Sequence, residues 1–188
     1  MRTFTAVNLP EGLKKKIGLI QEDLKKSLSG KVKWVEENNL HLTMLFLGDM
    51  QEEDVKNYSQ KLERDIKDIT SFKILIKGLS IFPNIKRPHL FWLEIQEGRD
   101  KIRELFKKIQ MSGKDYLKED SEHSFKAHIT LGRVKDSLKI NDSFNTEEWK
   151  GKTAGEAIIT SVDIMQSTLT ENGPVYKIYK EIGLVNHV

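Results

Sequence analysis

Two short stretches of the chain share the pattern His-x-Thr-x between apolar residues: HLTM at His41–Met44 and HITL at His128–Leu131. The sequence has five His and ten Thr in 188 residues, so chance predicts fewer than one His-x-Thr tripeptide. Side chains two positions apart in a β-strand point to the same face of the sheet. Each stretch therefore presents an imidazole and a hydroxyl on one face, and its apolar residues anchor the other face.

Paired histidines suit acid–base chemistry near neutral pH. An unperturbed imidazole titrates at about pH 6.5, so His41 and His128 can act as one neutral base and one charged acid. The hydroxyls of Thr43 and Thr130 can donate hydrogen bonds to oxygens that carry developing charge. If the two strands lie side by side, these four groups provide what cleavage of a phosphate ester requires, and no metal ion is needed.

Other kinds of site have weaker support in the sequence. A metal centre needs further ligands, and no carboxylate accompanies either motif. The G-x-S-x-G turn of serine hydrolases and the glycine-rich loop that holds phosphates are both absent. Two solvated sheet faces without a catalytic role remain the alternative. We favour that alternative for either motif alone, but not for the pair.

Hydrophobic periodicity indicates the elements that carry the motifs. Both motif strands follow a strand and an amphipathic helix, and Phe4 and Phe91 each lie 37 residues before their histidine. This repeat of order and distance predicts a bilobal α+β fold with pseudo-twofold symmetry, although coincidence is an open alternative. The helical period from Leu13 is expected to stop at Gly30, and AIITSVDIMQSTL is expected to form one strand. The tract from Lys135 to about Gly155 reads as a polar stretch with a short helix near Glu147.

Composition limits the class of protein. Hydrophobic residues make up 38% of the chain and charged residues 31%, which is typical of a globular protein, and we expect one domain over residues 1–188. The net charge of +3 permits a polyanionic partner without requiring one. The absence of cysteine excludes disulfides and thiolate chemistry. No apolar run approaches the ~20 residues of a membrane span, and the expected location is the cytoplasm.

With these motifs in place, the sequence resembles the 2H phosphoesterase superfamily over nearly its whole length. The similarity is greatest to the RNA 2′,3′-cyclic phosphodiesterases, also called 2′-5′ RNA ligases. It rests on RTFTAVNLP as an opening strand, LHLTMLFLG and FKAHITLGR around the two motifs, and STLTENGPVYK near the end. Met44 stands where the family more often has Leu, and Ala127 stands where Pro often precedes the second histidine. Both departures leave the catalytic pattern intact.

The resemblance implies two antiparallel β-sheets with outer helices and a central groove that carries both motifs. It also implies hydrolysis of the 2′,3′-cyclic phosphate at an RNA 3′ end to a 2′-phosphomonoester, without metal or cofactor. His41 would then be the proton donor and His128 the proton acceptor, while Thr43, Thr130 and Arg133 hold the phosphate oxygens. The pseudo-symmetry leaves the assignment of acid and base open.

The resemblance also implies a range of partners and reactions. The expected partner is RNA with a 2′,3′-cyclic phosphate terminus, with tRNA fragments among the candidates, and neither a membrane nor an obligate protein partner is expected. The reaction run in reverse would join RNA ends through a 2′-5′ linkage. One alternative is the same chemistry on a small cyclic nucleotide or ADP-ribose cyclic phosphate. An alternative of another class is a non-catalytic module that binds RNA or a nucleotide.

Several other residues have both a functional and a structural interpretation. Some would form a basic rim for RNA or a plain turn: Lys86, Arg87 and His89. Some would stack on a base or pack in the core: Trp34, Phe46, Trp92 and Tyr176. His123 is expected in a surface loop and His187 at an exposed end.

Overall fold

A computed structural model describes residues 1–117, 125–142, 144–171 and 173–186. Within these ranges, no helix combines the length and the apolar character needed to cross a membrane. The elements in chain order are β1 (Arg2–Asn8), α1 (Glu11–Lys26), β2 (Leu28–Trp34), a 3₁₀ turn (Glu37–Asn39), β3 (His41–Asp49), α2 (Glu52–Asp65), β4 (Phe72–Asn84), β5 (Arg87–Glu97), α3 (Arg99–Gly113), a second 3₁₀ turn (Lys114–Tyr116), β6 (His128–Ile140), α4 (Thr146–Gly151), β7 (Thr153–Ile159), β8 (Ser161–Thr170) and β9 (Gly173–Gly183).

The strands form two antiparallel halves that meet at the motif strands. The order is β7-β4-β5-β6-β3-β1-β8-β9, and β2 pairs with the outer part of β6. Strand β6 has β5 as its outer neighbour, and β3 has β1 as its outer neighbour. The order of strands is therefore the same on going outward from the centre into either half. At the centre, Leu42 of β3 pairs with Ile129 of β6. The predicted α+β fold with antiparallel strands is confirmed, but the two predicted sheets are joined through β3 and β6 into one nine-stranded sheet.

The helices cover one face of this sheet and leave the other face open. The apolar residues of α1, α2 and α3 join those of the central strands in one buried cluster. Leu42 and Ile129 are fully buried in it, and complete burial of such a side chain contributes about 1.5–3 kcal/mol. Both motif strands are thereby packed against the helices on their apolar face, as the alternation of apolar and polar residues predicts.

Two boundaries differ from those that the sequence predicts. Helix α1 ends at Lys26, and Gly30 lies inside β2 rather than at the helix stop. Strand β6 continues to Ile140 through the tract predicted to be polar. Its inward residues Val134 and Leu138 pack against the core while charged residues face outward. The prediction of a polar tract was wrong because the charged residues outnumber the apolar ones that alternate with them. The short helix expected near Glu147 is α4.

The tract AIITSVDIMQSTL is also two strands rather than one. Strand β7 ends at Ile159 and pairs with β4, whereas β8 begins at Ser161 and pairs with β1 in the other half. The sequence does not reveal this break, because only one residue separates the two strands and β-prone residues continue on both sides of it. The chain therefore crosses between the two halves at Thr160.

Candidate active site

The two motifs lie on adjacent central strands with their polar residues on one face. Leu42 pairs with Ile129 in antiparallel register. The same register, continued by one residue in each direction, sets His41 across from Thr130 and Thr43 across from His128. Since alternate side chains point to opposite faces, all four polar groups lie on the open face, opposite the buried Leu42 and Ile129.

Each motif strand contains a β-bulge one residue after its threonine. In β3, Ala6 pairs with Thr43 and Thr5 with Leu45, which leaves Met44 unpaired in the ladder with β1. In β6, Trp92 pairs with Thr130 and Phe91 with Gly132, which leaves Leu131 unpaired in the ladder with β5. The extra residue shifts the alternation of each strand. The residue five positions after each histidine therefore returns to the open face.

These two shifted residues are Phe46 and Arg133. Phe46 is 67% exposed, and its ring centroid is 5.9 Å from that of Phe4. Arg133 is exposed, and its positive charge adds to burial in lowering the pKa of His128. Strict alternation from Thr130 would have placed Arg133 on the buried face. The bulge is what brings the predicted phosphate-binding arginine to the histidines.

A buried glutamine from α1 supports the bulge in β6. The Nε2 group of Gln21 donates to the backbone oxygen of Leu131 at 2.9 Å and to that of Val35 at 2.9 Å. The backbone N–H of Val35 also donates to the Leu131 oxygen, at 2.8 Å. The carbonyl of the bulged residue therefore keeps its hydrogen bonds inside the core, where an unpaired one would be costly.

We expect Gly132→Ala to disturb this bulge and destabilise the protein by about 1–3 kcal/mol, the usual cost of overpacking a core. A Cβ atom there would lie 2.8 Å from Val32 Cγ1 and 2.9 Å from Trp34 Cε3. Urea denaturation would measure the change. Gly12→Ala is the matched control, since a Cβ at Gly12 meets nothing within 4 Å. Equal stability of both variants and the wild type would contradict the expectation.

The two imidazoles are held by the same kind of hydrogen bond. His41 Nδ1 donates to the backbone oxygen of Asn39 at 2.7 Å, and His128 Nδ1 donates to that of Lys126 at 2.6 Å. Each acceptor lies two residues before its histidine. Because a carbonyl oxygen only accepts, Nδ1 carries the proton in both rings and Nε2 is the reactive nitrogen of each.

Aromatic side chains flank both rings. The His41 ring centroid lies 5.2 Å from Phe4 and 5.4 Å from Tyr176, which meets it edge-on. The His128 ring lies 4.9 Å from Trp92. His41 Nε2 is also 2.9 Å from the hydroxyl of Thr43. With Nδ1 protonated, Nε2 of a neutral His41 accepts this hydrogen bond from Thr43.

Burial lowers the pKa of both histidines. For His41 the loss of solvent acts first and the nearby charges of Lys14 and His128 add to it, against the Asn39 carbonyl. For His128 the loss of solvent is again the main cause, followed by the charges of Arg133 and Lys126. Without substrate, both rings are therefore neutral at pH 7. A bound phosphate anion would raise both pKa values again.

These shifts predict that the free energy of unfolding decreases below neutral pH. A histidine whose pKa in the folded state lies below the ordinary 6.5 binds fewer protons folded than unfolded. Stability is therefore constant above about pH 6.5 and falls as the pH drops through that value toward the lower folded pKa. Urea denaturation at several pH values should show a smaller decrease in a His41→Gln, His128→Gln double variant. An unchanged pH dependence would contradict the prediction.

The remaining singled-out residues lie outside this constellation or border it. Trp34 packs against Phe91 beside the core, with ring centroids 6.1 Å apart. Trp92 borders His128 but is buried, which favours the core interpretation, whereas Tyr176 borders His41 and is half-buried. His123 and His187 lie outside the described residues. The β4–β5 hairpin and the outer part of β6 line a separate cavity of about 500 Å³ that includes Lys86, Arg87 and His89.

Sequence reasoning missed the groups that orient the two rings. The Asn39 and Lys126 acceptors are backbone atoms, which leave no mark in residue type. The aromatic neighbour Phe4 was visible only as a spacing marker. In the described parts of the chain, no group of three His, Asp or Glu side chains is arranged to hold a metal ion.

The chain is similar to known proteins in both sequence and fold. The family model described as LigT-like phosphoesterase matches residues 7–92. An RNA 2′,3′-cyclic phosphodiesterase of Methanocaldococcus jannaschii is 34% identical over 96% of this chain and 99% of its own. One of Aquifex aeolicus is 31% identical over 90% of this chain and 92% of its own. A crystal structure of a Thermus thermophilus protein covers all of both chains with a TM-score of 0.82 at 24% identity. That of E. coli LigT covers 98% of this chain and 97% of its own, with a TM-score of 0.77 at 20% identity.

Proposed function

The chain belongs to the LigT-like phosphoesterases, the 2H phosphoesterase family, and on that premise we propose that it opens the 2′,3′-cyclic phosphate of RNA 3′ ends by acid–base catalysis between two histidines. It is a hydrolase that acts on phosphodiester bonds. The proposed product is a 2′-phosphomonoester, and no metal ion takes part. RNA fragments, including those of tRNA, are the proposed substrates.

One observation carries the proposal: two imidazoles, anchored alike through Nδ1, present Nε2 to the same open face of two adjacent strands. In the proposed mechanism, His128 Nε2 removes a proton from the attacking water. His41 Nε2 donates a proton to the departing 3′-oxygen. The positive charges of Lys126 and Arg133 favour the neutral form of His128, which is the form that a base requires.

The threonines and Arg133 complete the mechanism by holding the phosphate. When His41 gains a proton, Nε2 becomes a donor and can no longer accept the hydrogen bond from Thr43. The Thr43 hydroxyl is then released to donate to a phosphate oxygen. Thr130 and the guanidinium of Arg133 donate to the oxygens that gain charge in the transition state. The attacking oxygen bonds to the phosphorus, which stays attached to the 2′-oxygen. If a 5′-hydroxyl attacks in place of water, the product is therefore a 2′-5′ linkage.

The test is the identity of the product. Purified protein is incubated in EDTA with an RNA oligonucleotide that ends in a 2′,3′-cyclic phosphate, and the product is assigned by phosphorus NMR. We expect a 2′-phosphate formed at an undiminished rate in EDTA. A 3′-phosphate, loss of activity in EDTA or an unchanged substrate would each contradict the proposal. A higher kcat/KM for a small cyclic nucleotide or ADP-ribose cyclic phosphate than for the oligonucleotide would transfer the proposal to those substrates.

A further inference from the structure

A cavity of about 370 Å³ lies directly beside His128 and is not used by the mechanism above. Its walls are formed by Glu94, Arg99, Arg103, Phe125, Lys126 and Ala127. Lys126 and Ala127 immediately precede His128, and Glu94 is the ladder partner of His128 on β5. The cavity is therefore lined by the neighbour of His128 along the chain, Ala127, and by its neighbour across the sheet, Glu94.

Among the residues that the structure describes, the walls of this cavity carry three positive charges and one negative charge. Glu94 is already engaged, since one of its oxygens accepts a hydrogen bond from Ser80 at 2.5 Å. Its other oxygen is 3.5 Å from Arg99 Nη2, at the limit of a hydrogen bond. Arg103 makes an exposed ion pair with Asp100 at 3.6 Å. Guanidinium donors are well matched to phosphate oxygens, so the described cationic side chains of the cavity suit an anionic ligand.

Lys126 connects this cavity to the reaction centre. Its Nζ lies 4.7 Å from the centroid of the Trp92 ring, and that ring borders His128. Its charge lowers the pKa of His128. An anion held by Lys126 would therefore lie beside the His128 site.

The geometry of displacement at phosphorus indicates which part of the substrate would place an anion in the cavity. Attacking and leaving oxygens lie on opposite sides of the phosphorus atom. With His41 as the acid on the 3′-oxygen, the ribose of the cyclic phosphate lies on the His41 side. The incoming group lies on the His128 side. During hydrolysis this group is water, but during ligation it is the 5′-end of a second RNA, which carries a phosphate one nucleoside farther on.

We propose that the cavity binds the 3′-phosphate of the nucleoside whose 5′-oxygen enters or leaves beside His128. It is thus a second phosphate site, one that serves 2′-5′ joining and its reversal. In joining, the 5′-oxygen bonds to phosphorus and gives its proton to His128, while the bond from phosphorus to the 3′-oxygen breaks and His41 protonates that oxygen. No other reactant is consumed. This inference rests on the proposed function and on its assignment of His128 as the base.

The test compares two 2′-5′-linked dinucleotides that differ by one phosphate. A2′p5′A and A2′p5′Ap are cleaved to the same cyclic phosphate, and only the second carries a 3′-phosphate on the leaving nucleoside. We expect wild-type kcat/KM to be about tenfold to 100-fold higher for A2′p5′Ap, since hydrogen bonds to charged groups have this effect on an equilibrium. The ratio should approach one in an Arg99→Ala, Arg103→Ala double variant. A ratio within each variant cancels any general loss of activity.

Two further variants keep the test decisive. Lys101→Ala with Lys107→Ala removes the same charge from exposed positions of α3 outside the cavity and should keep the wild-type ratio. Arg103→Glu, at an exposed position, should reverse the preference. A wild-type ratio near one, or a ratio that survives in the double variant, would overturn the inference. If instead the double variant loses discrimination between 2′,3′-cyclic AMP and its 5′-phosphorylated form, the anion site lies on the ribose side and the inference is wrong.

The two levels of proposal fail in different ways. If wild-type protein does not convert the 2′,3′-cyclic phosphate of an RNA oligonucleotide to a 2′-phosphate, the proposed function fails, and this inference fails with it. If hydrolysis proceeds but the phosphate on the leaving nucleoside has no effect, only the inference fails.

Discussion

Replacing either His41 or His128 with alanine is expected to lower the rate of cyclic phosphate hydrolysis by ~10²–10⁴, the contribution of a positioned acid or base. Each Nε2 has no substitute among the neighbours described above, because the flanking rings of Phe4, Tyr176 and Trp92 are not proton carriers at neutral pH. The measurement is kcat/KM with a cyclic-phosphate oligonucleotide. His89→Ala is the matched control, since His89 is exposed on the β4–β5 hairpin.

The double variant extends this test. Residues that act as a unit in one step show non-additive losses, so loss of both histidines is expected to cost far less than the product of the single effects. A wild-type rate in either single variant would remove that residue from the mechanism. Fully multiplicative losses would mean that the two imidazoles act in separate steps.

The second large effect is expected at Arg133. Arg133→Met should lower kcat/KM by about 10²-fold, because removal of a single donor to the charged oxygens of a transition state commonly costs this much or more. Arg133→Lys should recover part of the loss, since it restores the charge without the forked geometry. Both variants are compared with wild type in the same assay and under the same ionic strength.

Lys139→Met is the control for this series, because it removes one positive charge from an exposed position at the far end of the same strand. We expect it to retain the wild-type kcat/KM. The same loss in Arg133→Met and Lys139→Met would show a general effect of charge on RNA binding. It would contradict a specific role for the guanidinium beside His128.

The sequence predicts the fold class and the central pair of strands because both depend on local patterns. Leu42 and Ile129 alternate with polar residues in short β-prone tracts, and that alternation requires a buried and an open face. The two motifs then mark which strands meet, since only side-by-side placement gives the pair a shared chemistry. Neither conclusion needs information about long-range contacts.

The parts that sequence does not reveal depend on pairing partners far away in the chain. The bulge at Leu131 appears only when β6 is read against β5. Gln21 supports it across 110 positions of sequence. The extension of β6 to Ile140 likewise depends on β2, which pairs Leu28 with Ile140. Residue types at these positions are compatible with a polar loop until the partner strand is known.

The matching bulges also explain how a twofold scaffold serves a substrate with two unlike ends. Each half offers one position, five residues after its histidine, that faces the reaction centre and is not packed in the core. One half fills this position with the cation Arg133 and the other with the flat apolar ring of Phe46. This pair of side chains thus makes the two halves of the site unlike, although both strands carry a bulge at the same place.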